Sequence, residues 1–176
     1  MPHVEVRRAL PSERAVLENL FQFYVHDFSE QWWDRPYGEL EDDGRFPSYF
    51  LDFAPYWTTE PHVPLLLRLE GKLVGFALLD AVSHSGAALD RNMAEFFVVR
   101  KHRRGGVGTA AAHAIFGAYP GRWEAAVARR NTGALPFWRK AVATHPKVSA
   151  IEEVDVANER WDGPVLRFHI GGVSDA

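Results

Sequence analysis

The spacing of hydrophobic residues along the chain predicts a series of strands and helices. Short apolar or alternating runs, which are typical of strands, occur at residues 4–7, 63–69, 73–79, 94–99, 123–128, 148–156 and 164–170. Only Glu70-Gly71-Lys72 separates the second run from the third, so we expect a tight hairpin there. The last two runs are expected to form a closing antiparallel hairpin.

Three segments have apolar residues every three to four positions, which is the spacing of a helix with one buried face. The first covers residues 16–28, after a start signal at Pro11 and Ser12. The second covers residues 106–118, and the third follows Asn131-Thr132, which we expect to cap it. Residues 30–48 have no regular pattern and predict a long loop, and residues 49–57 predict a short helical or irregular piece.

These elements predict one α/β domain over residues 1–176, with a mixed sheet flanked by helices. The hydrophobic content of 47% fits a packed globule. The absence of cysteine excludes disulfides, thiolate metal sites and a cysteine nucleophile. The N-terminal segment has no apolar signal core, and no apolar run reaches the ~18 residues of a membrane span. We therefore expect a cytoplasmic protein with no membrane partner.

The charges are distributed unevenly along the chain. Residues 1–99 carry 16 acidic and 8 basic side chains, whereas residues 100–147 carry ten lysines or arginines and a single acid, Glu124. Nucleic-acid binding usually requires a broad basic surface and a high pI, but the pI here is near 6.2. The pattern favours a small polyanionic ligand over nucleic acid.

The stretch from Met93 to Thr109 is the strongest local signal in the chain. A strand-like run ends in the basic residues 100–104, which precede Gly105, Gly106 and Gly108 and the start of a helix. Glycines allow close approach of the backbone, and the free N–H groups of a helix start attract an anion. The stretch predicts a phosphate cradle; a solvated cluster of surface arginines is the alternative.

Several other chemistries are excluded by motifs that the sequence lacks. The eight histidines are at least 11 residues apart, so no local metal-binding motif exists. The chain has neither a Gly-x-Ser-x-Gly nucleophile turn nor a Gly-Lys-Ser/Thr phosphate loop. We therefore expect no metal site, and we expect the protein to be neither a serine hydrolase nor a nucleoside triphosphatase.

Two blocks of residues resemble the GNAT superfamily of N-acetyltransferases. Arg103-x-x-Gly106-x-Gly108, after a strand and before a helix, is similar to the acyl-CoA pyrophosphate motif of that family. Asn131-x-x-Ala134-x-x-Phe137-Trp138 is similar to its Asn-x-x-Ala-x-x-Phe-Tyr block. The resemblance covers residues 4–170 and implies a GNAT-like fold with about seven strands in a largely antiparallel sheet.

The same resemblance implies acetyl-CoA as acyl donor and no metal. The acetyl group would pass to a primary amine of a small molecule or peptide by direct transfer in a ternary complex, and many members of the family are homodimers. The backbone of residues 97–99 would pair with pantetheine, and the N–H groups of residues 104–109 would hold the pyrophosphate. The implied cofactor-binding residues are Phe97, Val98, Val99, Arg103, Arg104, Gly105, Gly106, Val107, Gly108, Thr109, Asn131, Phe137 and Trp138.

Transfer to an amine needs a general base, and the thiolate that leaves often needs an acid. Glu95 shares a strand face with Phe97 and is the candidate base; an exposed strand carboxylate without a catalytic role is the alternative. The family's usual acid is the Tyr of the Phe-Tyr pair, and Trp138 stands at that position. An indole N–H does not release a proton near neutral pH. Tyr24 or Tyr119 could supply the proton, the thiolate could leave unaided, or the protein could bind CoA without catalysis.

The acidic and aromatic N-terminal region is the candidate acceptor side, because carboxylates and aromatic faces suit a cationic amine. Ordinary packing of the same aromatic residues is the alternative. Tyr24, Asp27 and Trp33 are the predicted substrate-binding residues, and Trp32, Asp34 and Tyr37 belong to the same region.

One rival interpretation is an NADP-binding oxidoreductase. Gly106-x-Gly108-x-x-Ala111 fits a dinucleotide fingerprint, and Arg129-Arg130 could receive a 2′-phosphate. A true fingerprint has its first glycine almost directly after the strand, however, and five charged or polar residues intervene here. The other rival is a non-catalytic acyl-CoA-binding regulatory module, which the Trp at position 138 motivates.

Overall fold

The computed structural model describes residues 2–35, 38–47 and 51–172. The strands are β1 (Val4–Arg8), β2 (Val63–Leu69), β3 (Lys72–Asp80), β4 (Arg91–Val98), β5 (Gly121–Ala126), β6 (Val148–Ala157) and β7 (Asp162–Ile170). The helices are α1 (Arg14–Ser29), α2 (Pro55–Thr58), α3 (Val107–Ala118) and α4 (Ala134–Ala143), with short 3-10 turns at Pro11–Glu13 and Arg100–His102. None of the described helices is long and apolar enough to cross a membrane.

All of these strands form one sheet in the order β1-β2-β3-β4-β5-β7-β6. Neighbouring strands are antiparallel except β4 and β5, which are parallel. The predicted α/β fold with a mixed, largely antiparallel sheet is therefore confirmed. The hairpin between β2 and β3 turns at Glu70 and Gly71, both with positive φ (50° and 75°), as tight hairpin turns of the matching hand require.

Helices cover both faces of the sheet. On one face, α1 packs Leu17 and Leu20 against Leu66 of β2. On the other face, α3 and α4 pack against the neighbouring residues of the same strands, such as Leu65 and Leu67. β2 is a continuous apolar run because both of its faces are buried.

β4 and β5 stay paired for only two residues each, Arg91 with Trp123 and Asn92 with Glu124. Beyond this point β4 continues along β3 and β5 continues along β7. Two neighbouring strands that stop pairing expose backbone groups along their facing edges. The middle of the sheet therefore contains a cleft between the second half of β4 and the end of β5.

The structure corrects several of the predicted element boundaries. β5 covers Gly121–Ala126 instead of residues 123–128, and β7 begins at Asp162 instead of residue 164. β4 begins at Arg91 instead of residue 94, because the polar Arg91 and Asn92 interrupt the apolar pattern although they pair within the sheet. The expected cap of α4 at Asn131-Thr132 is wrong: Gly133 is the N-cap, without a side-chain cap bond. The carbonyl of Asn131 accepts the N–H of Ala134 at 3.1 Å, and this leaves the Asn131 side chain free for other contacts.

Candidate active site

A cavity of about 540 Å³ opens from the cleft between β4 and β5. One part of its wall consists of residues from β4, the end of β5 and α4, and the other part consists of residues from α1, β3 and the loop after β3. No lysine or arginine is among the described residues that line it. The cavity therefore joins the motif residues of the sequence to a second, acidic and aromatic compartment.

The glycine turn, residues 103–109, lies just beyond the end of β4. Arg104 and Gly106 have positive φ angles of 66° and 81°. The N–H groups from Arg104 to Thr109 donate no hydrogen bond to any described residue, and the first bond of α3 joins the N–H of Ala110 to the carbonyl of Gly106 at 2.9 Å. A row of free N–H groups at a helix start is an anion-binding geometry. The turn fits the pyrophosphate of an acyl-CoA.

Gly108 allows close contact between α3 and α4. A Cβ at this position would lie 3.1 Å from Cε2 of Phe137, which is tighter than ordinary packing. The ring of Phe137 stacks on Phe96 of β4, with centroids 5.7 Å apart. The two motif blocks are therefore in direct contact although about 30 residues separate them in the sequence.

Arg103 and Arg104 have different environments. Nε of Arg103 donates to the carbonyl of Val98 at 2.6 Å, its guanidinium lies 5.3 Å from the ring centre of Phe97, and Nη2 pairs with Asp27 of α1. Nε of Arg100 also donates to Asp27, at 2.8 Å. Arg104, in contrast, is exposed and has no acidic partner among the described residues. The guanidinium of Arg104, which no described acid neutralises, therefore lies next to the N–H cradle.

Ion pairing also accounts for most of the basic character of residues 100–147. Six of the ten cations there pair with acids elsewhere: Arg100 and Arg103 with Asp27, Arg122 with Asp90, Arg129 with Asp155 and Asp162, Arg130 with Asp34, and Arg139 with Glu153. Only Lys101, Arg104, Lys140 and Lys147 of this segment lack an acidic partner among the described residues. The net charge of residues 100–147 therefore overstates the positive charge at the turn.

Asn131, Phe137 and Trp138 bring the second motif block to the cavity wall. Asn131 lines the cavity, and no described residue hydrogen-bonds to its side-chain amide. Trp138 is buried, with its ring 5.2 Å from that of Phe96. The indole therefore fills the position of the family's usual acid with an apolar ring.

Glu95 and Tyr24 form a pair on the opposite wall of the same cavity. The Tyr24 hydroxyl donates to Oε2 of Glu95, and the cavity leaves part of both half-buried side chains accessible. Burial raises the pKa of Glu95 to about 7; the Tyr24 hydrogen bond opposes this rise and the charge of Asp80 adds to it. Burial, with the charge of Glu95, raises the pKa of Tyr24 well above its usual value. Glu95 is thus not the exposed carboxylate of the alternative interpretation.

A row of polar residues crosses the three central strands beside this pair. Asp80 of β3 pairs with Asn92 of β4, which pairs with Glu124 of β5. We call Asp80, Asn92 and Glu124 the polar row; all three are buried. Oδ1 of Asp80 accepts a hydrogen bond from Nδ2 of Asn92 at 2.9 Å. Sequence reasoning missed this row, and its one local signal was Glu124, a polar residue within the apolar run at residues 123–128.

The predicted substrate-binding residues are not all brought together. Tyr24 lines the cavity, whereas Asp27 is held by two arginines, and Trp33 is 84% exposed and is not part of the cavity wall. Of the wider acceptor region, Trp32 lines the cavity, and Asp34 pairs with Arg130 at 2.9 Å. Tyr37 lies outside the described residues. Tyr119, the other candidate acid, packs against the guanidinium of Arg91 outside the cavity.

Within the part of the chain that the structure describes, no group of three or more His, Asp or Glu residues could hold a metal ion. His113 instead packs between α3 and α4, where its Nε2 lies 2.9 Å from the carbonyl oxygen of Ala141.

Taken together, the described residues offer a row of free N–H groups at the start of α3, an unpaired edge along β4 and the half-buried Glu95 carboxylate near that edge.

Comparisons with known proteins bear on these features. A family model described as acetyltransferase (GNAT) family matches residues 18–142. No curated protein matches the chain by sequence. An acetyltransferase structure from Thermus thermophilus has a TM-score of 0.61 at 16% identity, covering 96% of each chain. The aminoglycoside acetyltransferase AAC(6')-Ib, in complex with coenzyme A and kanamycin, has a TM-score of 0.59 at 15% identity, covering 95% of this chain and 94% of the other.

A third similar structure is yncA from Salmonella typhimurium with its cofactor acetyl-CoA. It has a TM-score of 0.53 at 14% identity, and the match covers 98% of this chain and 95% of that one. At such low identities, the three structures establish a shared fold. Their matches extend over nearly the whole of each chain.

Proposed function

Because the chain belongs to the acetyltransferase (GNAT) family, we propose that it transfers an acetyl group from acetyl-CoA directly to a primary amine of a small molecule or peptide. The observation that carries this proposal is the Glu95–Tyr24 hydrogen bond within the cavity that Asn131 also lines. One continuous cavity thus joins a candidate base to the motif residues for the acyl donor. Acetyl-CoA supplies the thioester carbonyl carbon that accepts the amine nitrogen.

The residues around the cleft suit the shape and charge of acetyl-CoA. The free N–H groups of residues 104–109 and the Arg104 guanidinium suit the pyrophosphate. The edge of β4 that β5 leaves unpaired suits the amide groups of pantetheine. The free side-chain amide of Asn131 suits the thioester end of the arm. Two proteins of similar fold were solved with coenzyme A and with acetyl-CoA, which is consistent with this assignment.

Glu95 is the proposed base for the incoming ammonium. Its pKa near 7 is raised mainly by burial, so the carboxylate is a stronger base than an ordinary glutamate while a large fraction is still ionised at neutral pH. The ammonium gives one proton to Glu95, and the neutral amine nitrogen can then form the new C–N bond as the C–S bond breaks. The second nitrogen proton is released to solvent.

Tyr24 is the proposed route by which the proton on Glu95 reaches the departing sulfur. A tyrosine with a raised pKa is a poor acid alone. Hydrogen-bonded to a protonated Glu95, however, it can give its own proton to the thiolate as it receives the proton of Glu95. This relay leaves Tyr24 neutral and Glu95 ionised, and it needs no acid at position 138.

Two measurements test the proposed function. Acetyl-CoA at a hundredfold excess over its dissociation constant should stabilise the protein by roughly 2.7 kcal/mol, whereas NADPH should not. Free thiol should then appear with at least one member of a panel of polyamines, amino acids, aminoglycosides and peptides. Stabilisation by NADPH alone would favour the oxidoreductase. Binding of acetyl-CoA without thiol release from any amine would favour the non-catalytic module.

A further inference from the structure

Two members of the polar row, Asp80 and Asn92, line the cavity, yet acetyl transfer through Glu95 and Tyr24 does not use them. Asp80 accepts hydrogen bonds from Asn92 at 2.9 Å and from the N–H of Val82 at 3.0 Å, and both bonds use Oδ1. Oδ2 receives no hydrogen bond from any described residue. One carboxylate oxygen of a buried acid is therefore available to a ligand.

The orientation of the Asn92 amide leaves a second acceptor unused. Because Nδ2 donates to Asp80, Oδ1 must point away from that carboxylate; the flipped amide would place two acceptors together. Asn92 is 1% exposed, and its Oδ1 is buried without a hydrogen-bond partner in the part of the chain that the structure describes. A buried carbonyl oxygen without a donor is costly unless something else supplies one.

An irregularity in β4 places these acceptors on the same face of the sheet as Glu95. The register with β3 shifts between Leu78 and Leu79, so that Glu95 faces Leu78 and Met93 faces Leu79. Ala94 is the extra residue of this bulge. In a regular strand, Asn92 and Glu95 would point to opposite faces because they are three residues apart. With the bulge, both line the cavity.

In Glu124, the third member of the polar row, both carboxylate oxygens already accept hydrogen bonds. Glu124 accepts hydrogen bonds from the Ser83 hydroxyl at 3.0 Å, from the N–H of His84 at 2.8 Å and from Ser85. These bonds anchor the loop after β3 to β5 and satisfy the carboxylate. Glu124 therefore acts as a structural anchor and adds negative charge beside the cavity.

The charge balance of this compartment favours a cationic ligand. Asp80 and Glu95 are the carboxylates of its wall, and no described lining residue is a lysine or arginine. The one imidazole among the described lining residues is that of His84; burial lowers its pKa, which favours the neutral ring. Nδ1 of His84 and Nε1 of Trp161 also lack hydrogen-bond partners among the described residues. Because the negative charge of Asp80 acts on His84, an uncharged oxygen suits these two atoms better than a carboxylate.

We propose that the acceptor is a small compound with two cationic nitrogens, one acetylated beside Glu95 and the other bound by Asp80 and Oδ1 of Asn92. This inference rests on the proposed function, since it assigns the acceptor of that same site. The two binding positions face Leu78 and Asp80 of β3, which are two residues apart because Ala94 is bulged out of β4, and this corresponds to about 7 Å along a strand. Rings of Trp32 and Tyr56 line the cavity and can pack against the methylene chain between the nitrogens or against its cations.

The first arm of the test uses the unmodified protein and a set of matched acceptors. Thiol release from acetyl-CoA is measured with α,ω-diamines from diaminopropane to diaminohexane, with the monoamine of each chain length, and with the corresponding ω-amino acids. The best diamine should exceed its monoamine in kcat/KM by about tenfold or more, the factor of one hydrogen bond to a charged group. The ω-amino acid should be the poorest of the three. Equal values for diamine and monoamine, or good use of the amino acid, would overturn the proposal.

The second arm uses Asp80→Asn, which removes the charge while an amide oxygen can still accept the bonds from Asn92 and Val82. The ratio of diamine to monoamine in kcat/KM should fall toward one. This ratio is the appropriate readout because any change in the pKa of Glu95 affects both amines alike. Asp155→Asn, an exposed carboxylate on the edge strand β6, is the matched control and should keep the ratio. A diamine preference that survives in Asp80→Asn would overturn the role of Asp80.

Failure of this inference and failure of the proposed function give different results. If monoamines release thiol as well as diamines do, the enzyme is an acetyltransferase and only the second binding position is wrong. If no amine releases thiol, binding of diaminobutane to the complex with CoA is measured by calorimetry. Binding that is tighter than that of butylamine and is weakened in Asp80→Asn would support the position without catalysis. Equal binding of diaminobutane and butylamine would overturn the second binding position. If Asp80→Asn does not fold, the comparison of diamines, monoamines and ω-amino acids with the unmodified protein decides whether the proposal stands.

Discussion

The hydroxyl of Tyr24 on α1 donates a hydrogen bond to Oε2 of Glu95 on β4, which joins a helix on one face of the sheet to its central strand. The bond gives the carboxylate a partner while burial still raises the pKa of Glu95 to about 7. The pair therefore combines a base of suitable strength with a hydroxyl that can pass a proton on.

Tyr24→Phe should alter both turnover and its pH dependence. Without the hydroxyl, the hydrogen bond that lowers the pKa of Glu95 is lost, so the midpoint of the kcat/KM profile should move above pH 7, and kcat should fall by about tenfold or more. Tyr119→Phe is the matched control, because Tyr119 lies outside the cavity and was the other candidate acid. Equal losses in the two variants, or a loss in Tyr119→Phe alone, would contradict the relay. Steady-state kinetics between pH 5 and 9 provide the measurement.

The difference in unfolding free energy between the native protein and Glu95→Gln should depend on pH. The pKa of Glu95 rises from 4.5 to about 7 on folding, so the folded state binds the proton more tightly than the unfolded state. Its contribution to stability is fully present below pH 4.5 and is lost as the pH rises through about 7. Between pH 4.5 and 8, the free energy of unfolding of Glu95→Gln should therefore rise by up to about 3 kcal/mol relative to that of the native protein. Urea unfolding at several pH values measures this, and a constant difference would show that the carboxyl is not desolvated.

Gly106→Ala and Gly117→Ala, two substitutions of the same kind, should change stability in opposite directions. Gly106 has a φ of 81°, and alanine in that region costs about 1–2 kcal/mol. Gly117 lies within α3, and the space that an added methyl group would occupy there is open, so alanine should stabilise by roughly 0.5–1 kcal/mol. Gly106→Ala should also weaken acetyl-CoA binding, and Gly117→Ala should not. Chemical denaturation and calorimetry check both effects; weakened binding in Gly117→Ala would argue against a local cradle at Gly106.

Arg104→Ala and Arg103→Ala should separate ligand binding from stability. Arg104 is exposed and has no acidic partner among the described residues, so its loss should raise the Kd of acetyl-CoA about tenfold at low salt and less at high salt. Arg103 joins the carbonyl of Val98 to Asp27, so its loss should lower the free energy of unfolding by about 1–2 kcal/mol. Calorimetric titration and urea unfolding measure the two effects. If Arg103→Ala instead raised the Kd of acetyl-CoA and Arg104→Ala lowered the free energy of unfolding, Arg103 would be the residue at the phosphates.

The sequence predicted the fold and the glycine turn before α3 because these depend on local patterns. Alternating apolar runs correspond to the strands, and the glycines at 106 and 108 correspond to a turn that needs a positive φ and a close helix contact. The partner of Arg103 could not be predicted, because Asp27 lies 76 residues away in the chain. Only folding brings that pair together.

The polar row beside Glu95 was less predictable for a similar reason. Asp80, Asn92 and Glu124 lie on three different strands, and their row depends on the register of the sheet and on the bulge at Ala94. No pattern within any one strand specifies either feature. Of the two neighbouring tryptophans after α1, Trp32 lines the cavity, whereas Trp33 is exposed to solvent, and the sequence alone does not distinguish them.

The most direct test of the central claim is the pH profile of thiol release for the native protein and Glu95→Gln. With saturating acetyl-CoA and the best amine of the panel, kcat/KM of the native protein should rise with pH to a plateau and have an inflection near 7, the pKa of Glu95. In Glu95→Gln the inflection should be absent, and turnover at neutral pH should fall by about a hundredfold or more, with little change in the Kd of acetyl-CoA. Equal turnover and the same inflection in both proteins would contradict the account.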